Sequence, residues 1–136
     1  MDERVTAMIR EAMPLAALLG FEGVEAGPRA VVLTGTWAEQ RCTAAGVLHG
    51  GYLVALADSA AATLAFLNLP AGAATATIES KTNFLAAVRE GKVTARAELV
   101  HAGRRTMVVQ VDVTADDGRL VTRTLQTQAV IEGGGG

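Results

Sequence analysis

The chain has 136 residues, of which 50% are hydrophobic but only 4% aromatic, and its formal net charge is −2. This composition is typical of one globular domain with a core of Ala, Val and Leu, and it argues against intrinsic disorder. No basic cluster is larger than the pair Arg104–Arg105, which argues against a nucleic-acid partner.

The first twenty residues have a helical pattern that a proline interrupts. Apolar residues recur at three- and four-residue spacing up to Met13 and again from Leu15 to Leu19, with Pro14 between them. This spacing predicts two short helices or one kinked helix. Residues 21–26 and 30–37 are expected to form short strands, because turn residues separate them and the second is rich in β-branched side chains. A loop follows over residues 38–48.

The longest apolar stretch predicts a helix from about His49 to Asn68. Between Arg41 and Glu79 the only formally charged side chain is Asp58. Burial of a lone carboxylate is unfavourable unless the group is paired, hydrogen-bonded or protonated. Asp58 is therefore either a catalytic group or a structural carboxylate that a local hydroxyl or a distant arginine stabilises. The helix carries too many alanines for a convincing membrane span, and we expect no membrane partner.

The pattern changes to period two after the helix. It predicts four strands, near residues 74–84, 93–99, 107–113 and 120–131, and the first of them shows one polar face. Four successive strands with short turns predict an antiparallel meander. The expected class is therefore α+β, with one domain over residues 1–132 and a flexible glycine tail over residues 133–136.

His49, Gly50 and Gly51 stand at the start of the long helix. Free backbone amides and the positive end of the helix dipole there suit a developing oxyanion, although the glycines could equally serve only a tight loop-to-helix junction. Gly50 and Asp58 are about 12 Å apart along the axis at about 1.5 Å per residue. One helix therefore cannot bring both to one carbonyl, whereas two antiparallel helices across a dimer axis can.

Three segments resemble the hotdog-fold acyl-CoA thioesterases, in particular the phenylacetic-acid-pathway (PaaI-like) and 4-hydroxybenzoyl-CoA thioesterase group. They are Gly46-Val-Leu-His-Gly-Gly51 with Asp58 seven residues later, Thr82–Gly91, and Val100–Arg105. The resemblance implies an antiparallel sheet wrapped around the long helix, in homodimers that assemble into homotetramers. It also implies that Asp58 is the nucleophile or general base, that the Gly50 amide polarises the thioester carbonyl, and that His49 positions the helix start.

The resemblance extends to candidate substrate contacts. Thr43 occupies the position where the family often has Asn or Gln, Gly51 allows close approach to the backbone, and Tyr52 and Phe84 either line an acyl pocket or belong to the core. The turn residues Gly103, Arg104 and Arg105, together with Lys81 and Arg89, could hold the phosphates or the pantetheine arm of CoA, although the basic side chains could also simply be solvated. Neither a metal site nor a cofactor is expected.

The N-terminus lacks the pattern of a signal peptide, and the single cysteine, Cys42, excludes an internal disulfide, so we expect a cytoplasmic protein. The expected function is hydrolysis of a small aryl- or medium-chain acyl-CoA. The alternative is a non-catalytic hotdog module that binds acyl-CoA.

Overall fold

The computed structural model describes residues 1–133, so only Gly133 of the predicted tail falls within it. Within this range the helices and strands are α1 (Glu3–Ala12), α2 (Pro14–Leu18), β1 (Glu22–Ala26), β2 (Ala30–Thr36), α3 (Gly50–Leu67), β3 (Ala74–Phe84), β4 (Lys92–Ala102), β5 (Thr106–Ala115) and β6 (Leu120–Ile131). Two short 3-10 turns, Glu39–Arg41 and Ala44–Gly46, lie in the loop before α3.

The N-terminal segment forms two short helices, which was one of the two predicted alternatives. The Asp2 carboxylate begins α1 by accepting hydrogen bonds from the backbone N–H groups of Arg4 and Val5. Met13 adopts an extended conformation and ends α1, because a residue that precedes proline is disfavoured in the helical region. Pro14 then begins α2, at a position where its missing N–H costs nothing.

The six strands form one antiparallel sheet in the order β1-β2-β4-β5-β6-β3. Strands β4, β5 and β6 are neighbours in sequence and in space, but β3 pairs with β6 and β4 pairs with β2. The predicted meander is therefore confirmed for β4, β5 and β6 but wrong for β3, which pairs with β6 instead of β4. Residues 85–91 explain the difference, because this connection crosses under the start of α3. There Val88 is buried and its carbonyl accepts the Leu48 N–H at 2.9 Å, so the chain passes to the other half of the sheet.

Helix α3 packs against one face of the sheet and forms the centre of the core. Half of its residues are buried, mostly Leu and Ala, and the strands that face it contribute fully buried small or β-branched residues such as Ala95, Ala97 and Val111. Small side chains on both sides allow close packing of helix against sheet. By length and composition α3 could also cross a membrane, but its burial against the sheet is that of a core helix. The opposite face of α3, which includes Gly51 and Phe66, is exposed.

The side chains of β3 change sides of the sheet halfway along the strand. Its pairing with β6 shifts register between Thr77 and Glu79. Before this bulge Thr77 donates a hydrogen bond to Asp58 on the α3 side of the sheet, and after it Glu79 accepts one from Thr127 at 2.8 Å. Thr127 alternates with buried Gln residues and lies on the outer side. The prediction of one continuous polar face on β3 is therefore wrong, since an extra residue in a strand inverts the alternation.

Candidate active site

The start of α3 has one capped amide and one free amide. His49 is the N-cap, and its Nδ1 accepts a hydrogen bond from the Gly51 N–H at 2.7 Å. An added Cβ at Gly51 would lie 2.9 Å from that nitrogen, so glycine allows the imidazole to cap the helix. Among the described residues the Gly50 N–H has no hydrogen-bond partner. This N–H, at the positive end of the helix dipole, is available to bind an oxygen of a ligand.

Asp58 lies half-buried on α3, on the side that faces β3 and β6. Its Oδ1 accepts a hydrogen bond from Gln126 Nε2 at 2.7 Å, and at 3.0 Å it shares the single hydroxyl proton of Thr77 with Gln128 Oε1, which lies 2.8 Å from Thr77 Oγ1. Within residues 1–133 it forms no salt bridge, and its Oδ2 has no hydrogen-bond partner. The carboxylate is thus stabilised by neutral donors rather than by an arginine. One oxygen is held in place and the other is free for chemistry.

The sequence pattern did not reveal the donors that hold Asp58. Every second residue of β6 from Thr122 to Gln128 is a Thr or Gln that is at most 1% exposed. Gln126 Nε2 also donates to Gln128 Oε1 at 2.7 Å, and Gln128 Nε2 donates to Thr75 Oγ1 at 3.0 Å. The sequence does contain a signal for these donors. Four polar residues recur at period two on the face of β6 that should be apolar.

Gly50 and Asp58 remain apart within one chain. Both belong to the straight run of α3, eight residues from each other, which corresponds to about 12 Å along the axis. The free amide and the free carboxylate oxygen therefore do not form a joint site within one chain.

Phe84 lies next to the free amide. An added Cβ at Gly50 would be 3.1 Å from the Phe84 ring, which is 55% exposed. Both residues line an open pocket of about 500 Å³ together with Val47, Leu48 and Leu53. The structure therefore brings together two residues that were predicted for the site. Thr43 is exposed in the loop that leads to this helix start, and its hydroxyl caps nothing.

Tyr52 lies in the core, which argues against its predicted contact with substrate. The side chain is 5% exposed, and its ring packs edge-on against Phe21 with 5.3 Å between ring centres. The Arg41 guanidinium lies 5.7 Å from the ring centre. Burial raises the pKa of Tyr52, and the positive charge of Arg41 opposes that shift.

The basic residues predicted for CoA binding do not form one cluster. Arg89 follows Val88, which contacts the loop before α3, so it lies near Gly50 and Phe84. Lys81 pairs with Leu125 on the outer side of the sheet, away from α3. The turn Gly103–Arg105 lies at the other end of the molecule, where the Arg105 carbonyl accepts the Val130 N–H at 2.8 Å. Of the predicted basic residues, Arg89 is thus the one whose chain neighbour contacts the loop before α3.

The described residues contain no group of three or more His, Cys, Asp or Glu side chains placed to hold a metal ion. The thiol of Cys42 donates to the Ala38 carbonyl at 3.3 Å and is half-buried. The groups that α3 itself presents for chemistry are the Asp58 carboxylate and the Gly50 amide.

Comparison with known proteins places this geometry in a family. The model of the thioesterase superfamily matches residues 45–122, more than half of the chain, including His49, Gly50, Asp58 and Thr77. A 1,4-dihydroxy-2-naphthoyl-CoA hydrolase of Listeria monocytogenes is 34% identical over 87% of this chain and 96% of that protein. A Haemophilus influenzae protein provisionally described as an esterase is 38% identical over 63% of this chain. That match covers 62% of the relative, less than two thirds of its length.

Solved structures of similar proteins have the same fold as this chain. A thioesterase of Haemophilus influenzae superposes with a TM-score of 0.83 at 32% identity, over 88% of this chain and 83% of that one. A thioesterase family protein of Silicibacter pomeroyi reaches a TM-score of 0.87 at 28% identity, over 96% and 98% of the two chains. These matches confirm the α+β hotdog arrangement of a six-stranded antiparallel sheet around one long helix. The chain therefore belongs to the thioesterase superfamily and is a hotdog-fold thioester hydrolase.

Proposed function

We propose that this protein hydrolyses acyl-CoA thioesters to the free acid and CoA, with Asp58 as the nucleophile or general base. The observation that carries the proposal is the Asp58 carboxylate, which two neutral donors hold through Oδ1 while Oδ2 has no partner among the described residues. A carboxylate in an apolar helix that is oriented without being neutralised has the properties of a catalytic group. The proposal includes the cytoplasmic location, where the free thiol of Cys42 is stable.

Two routes are open to the carboxylate. As a general base, Asp58 takes a proton from water while the water oxygen adds to the thioester carbonyl, and the C–S bond then breaks to release CoA. As a nucleophile, Asp58 forms a mixed anhydride with release of CoA, and water hydrolyses the anhydride. In both routes the carbonyl oxygen becomes negatively charged. The free Gly50 N–H would bind that oxygen, a contribution that is typically on the order of 10²- to 10³-fold in rate.

The proposed site contains Asp58 of one chain and Gly50 of a second, antiparallel chain. The exposed face of α3 supports this pairing because Gly51, Ala55, Asp58 and Ala62 are mostly small, which lets a second helix approach to about 8–10 Å. Strand β3 supports it too, since its 11 residues form an open sheet edge beside Asp58. A homodimer would have two such sites. Further assembly into a homotetramer is proposed from the resemblance alone.

The first experiment measures release of free thiol from acyl-CoAs by the wild type, Asp58→Ala and Asp58→Asn. The Asn variant keeps an oxygen that can accept from Gln126, so it tests the charge with little change in packing. We expect both variants to lose at least about 100-fold in kcat while they keep the elution volume of the wild type. If no protein releases thiol but acyl-CoA raises the Tm, the non-catalytic binding module is the correct function.

A second experiment tests the role of the Gly50 amide in the shared site. Gly50 is the first residue of α3, where proline is well tolerated, and His49 before it has φ −63° and ψ 135°, which suit a residue preceding proline. Gly50→Pro removes the N–H, whereas Gly50→Ala keeps it and serves as the matched control for the contact with Phe84. We expect a larger loss of kcat for the Pro variant than for the Ala variant.

Mixing then decides whether the two groups belong to different chains. A dimer of one Asp58→Ala chain and one Gly50→Pro chain would have one intact site and one doubly defective site. Co-refolded equal mixtures should therefore regain about a quarter of the wild-type activity, since about half of the dimers are mixed. A mixture that stays as inactive as its components would refute the shared site.

A further inference from the structure

A second pocket lies between α1 and α3 and is separate from the pocket at Gly50. It has a volume of about 210 Å³, and α1 contributes Met8, Ile9, Ala12 and Met13 while α3 contributes Ala62, Thr63 and Phe66. An apolar cavity of about 150 Å³ is sufficient to bind benzene, so this pocket admits a larger hydrocarbon group. Two methionines in its wall are flexible and can adapt to chains of different length.

The pocket begins one helical turn beyond Asp58 along α3. Ala62 is one helical turn beyond Asp58 on the same face, about 6 Å along the axis, and Phe66 is about 12 Å along it. A substituent of a carbonyl group held at Asp58 would therefore meet the pocket after one turn. A ring attached directly to the carbonyl would not reach into it.

The described lining residues offer a ligand almost no hydrogen bonds. Thr63 is the one polar residue among them, and its hydroxyl already donates to the Ser59 carbonyl at 2.8 Å. A hydroxyl group on the ligand would lose its hydrogen bonds to water without a full replacement. The pocket therefore favours a group that consists only of hydrocarbon.

From these observations we infer that the pocket between α1 and α3 binds the acyl chain, and that the preferred substrates are unsubstituted medium-chain acyl-CoAs rather than hydroxyaryl-CoAs. This inference rests on the proposed function. A chain advances about 1.2 Å per bond, since three backbone bonds span about 3.3–3.6 Å. Distances of about 6–12 Å therefore correspond to about five to ten bonds beyond the carbonyl. The preferred chains are those of about six to ten carbons.

The test compares kcat/KM over butanoyl-, hexanoyl-, octanoyl- and decanoyl-CoA with 4-hydroxybenzoyl-CoA and a hydroxynaphthoyl-CoA. Burial of each methylene should raise kcat/KM by about fourfold up to about ten carbons, with no gain beyond that length. Both hydroxyaryl substrates should be at least about tenfold poorer than octanoyl-CoA. A preference for a hydroxyaryl substrate, or a flat chain-length profile, would overturn the inference while leaving the proposed function intact.

Three variants test whether the chain-length profile arises from this pocket. Ala12→Leu fills it from α1, and Ala7→Leu makes the same change at an exposed position of α1 outside the lining. Ala12→Leu should lower the octanoyl-to-butanoyl ratio of kcat/KM by at least about tenfold, since it displaces two or more buried methylenes, and Ala7→Leu should leave the ratio unchanged. Met8→Ala, which enlarges the pocket, should extend the preference to longer chains. Equal ratios in all variants would show that the acyl chain does not bind in this pocket and would overturn the inference.

A binding measurement separates this inference from the proposed function. If no acyl-CoA is hydrolysed, the proposed function fails, and the rise in Tm with octanoyl-CoA is compared with the rise produced by CoA alone. A larger rise with octanoyl-CoA that Ala12→Leu removes would support the pocket. Equal rises would overturn it.

Discussion

Gln126 is the residue whose replacement tests how Asp58 is held. Gln126→Met keeps a side chain of similar length and burial but removes the donor that reaches Asp58 Oδ1 at 2.7 Å. Thr77 at 3.0 Å would then be the one donor left to that oxygen among the described residues. The carboxylate would no longer be fixed from two directions, and the orientation of its free oxygen would broaden.

The expected loss follows from the energy of that hydrogen bond. A hydrogen bond to a charged group contributes about 1.5–3 kcal/mol. If this energy maintains the reactive orientation, its loss corresponds to about a 10- to 150-fold decrease in kcat, at about 1.4 kcal/mol per factor of ten. KM should change little, because Gln126 is fully buried and not exposed at the surface. We therefore assign Gln126 a positioning role.

Stability should change much less than kcat does. The variant loses hydrogen bonds from Nε2 to Asp58 and to Gln128, but it also removes Gln126 Oε1, a buried oxygen that has no partner. Relief of an unsatisfied buried group is worth about 1–3 kcal/mol and offsets part of the loss. The free energy of unfolding, measured with urea, should therefore fall by less than about 2 kcal/mol.

Gln128→Met is the matched control for this experiment. Gln128 is the same residue type on the same strand, is 1% exposed, and hydrogen-bonds Gln126, Thr77 and Thr75 but not Asp58. Its replacement leaves both donors on Asp58, so kcat should stay within about threefold of the wild type, the effect of about 0.6 kcal/mol. The reasoning is refuted if Gln126→Met keeps the wild-type kcat, or if Gln128→Met loses as much activity as Gln126→Met does.

Three further predictions concern residues around the site and the sheet. Tyr52→Phe removes a buried hydroxyl that has no well-aligned hydrogen-bond partner among the described residues, so thermal unfolding should show an unchanged or higher Tm, and a large rise in KM would instead restore Tyr52 as a substrate contact. His49→Ala should lower the free energy of unfolding by about 1 kcal/mol through loss of the cap on Gly51, and His49→Asn should restore it if capping is the cause. Arg123 lowers the pKa of Asp112 from its ordinary value mainly by hydrogen bonding to it, so this solvent-screened pair should stabilise the fold only slightly at neutral pH. Because the folded-state pKa is the depressed one, the stability gap between wild type and Arg123→Gln should close as the pH falls through it, and a gap that persists in acid would contradict the assignment.

Local patterns in the sequence were sufficient for the helices, the strands and the reactive groups. The break at Pro14, the start of the long helix at His49 and the four strands after it follow from residue spacing and turn residues, which act over a few positions. The isolation of Asp58 in an apolar stretch and its distance of about 12 Å from Gly50 also follow from local helix geometry. If both residues are catalytic, that distance requires a second chain.

Only the tertiary structure decided which elements meet. The partner of Asp58 is Gln126, 68 residues away and outside the segment that matches the family, so no local pattern could join them. The pairing of β3 with β6 and its bulge at Ile78 depend on long-range packing around α3, and they turn Thr77 toward Asp58. The His49 imidazole binds the Gly51 N–H and leaves the Gly50 N–H free, a choice between two adjacent amides that depends on side-chain conformation. Residue spacing predicts helices and strands because they form through local interactions. The candidate active site depends on contacts between segments that are distant in sequence.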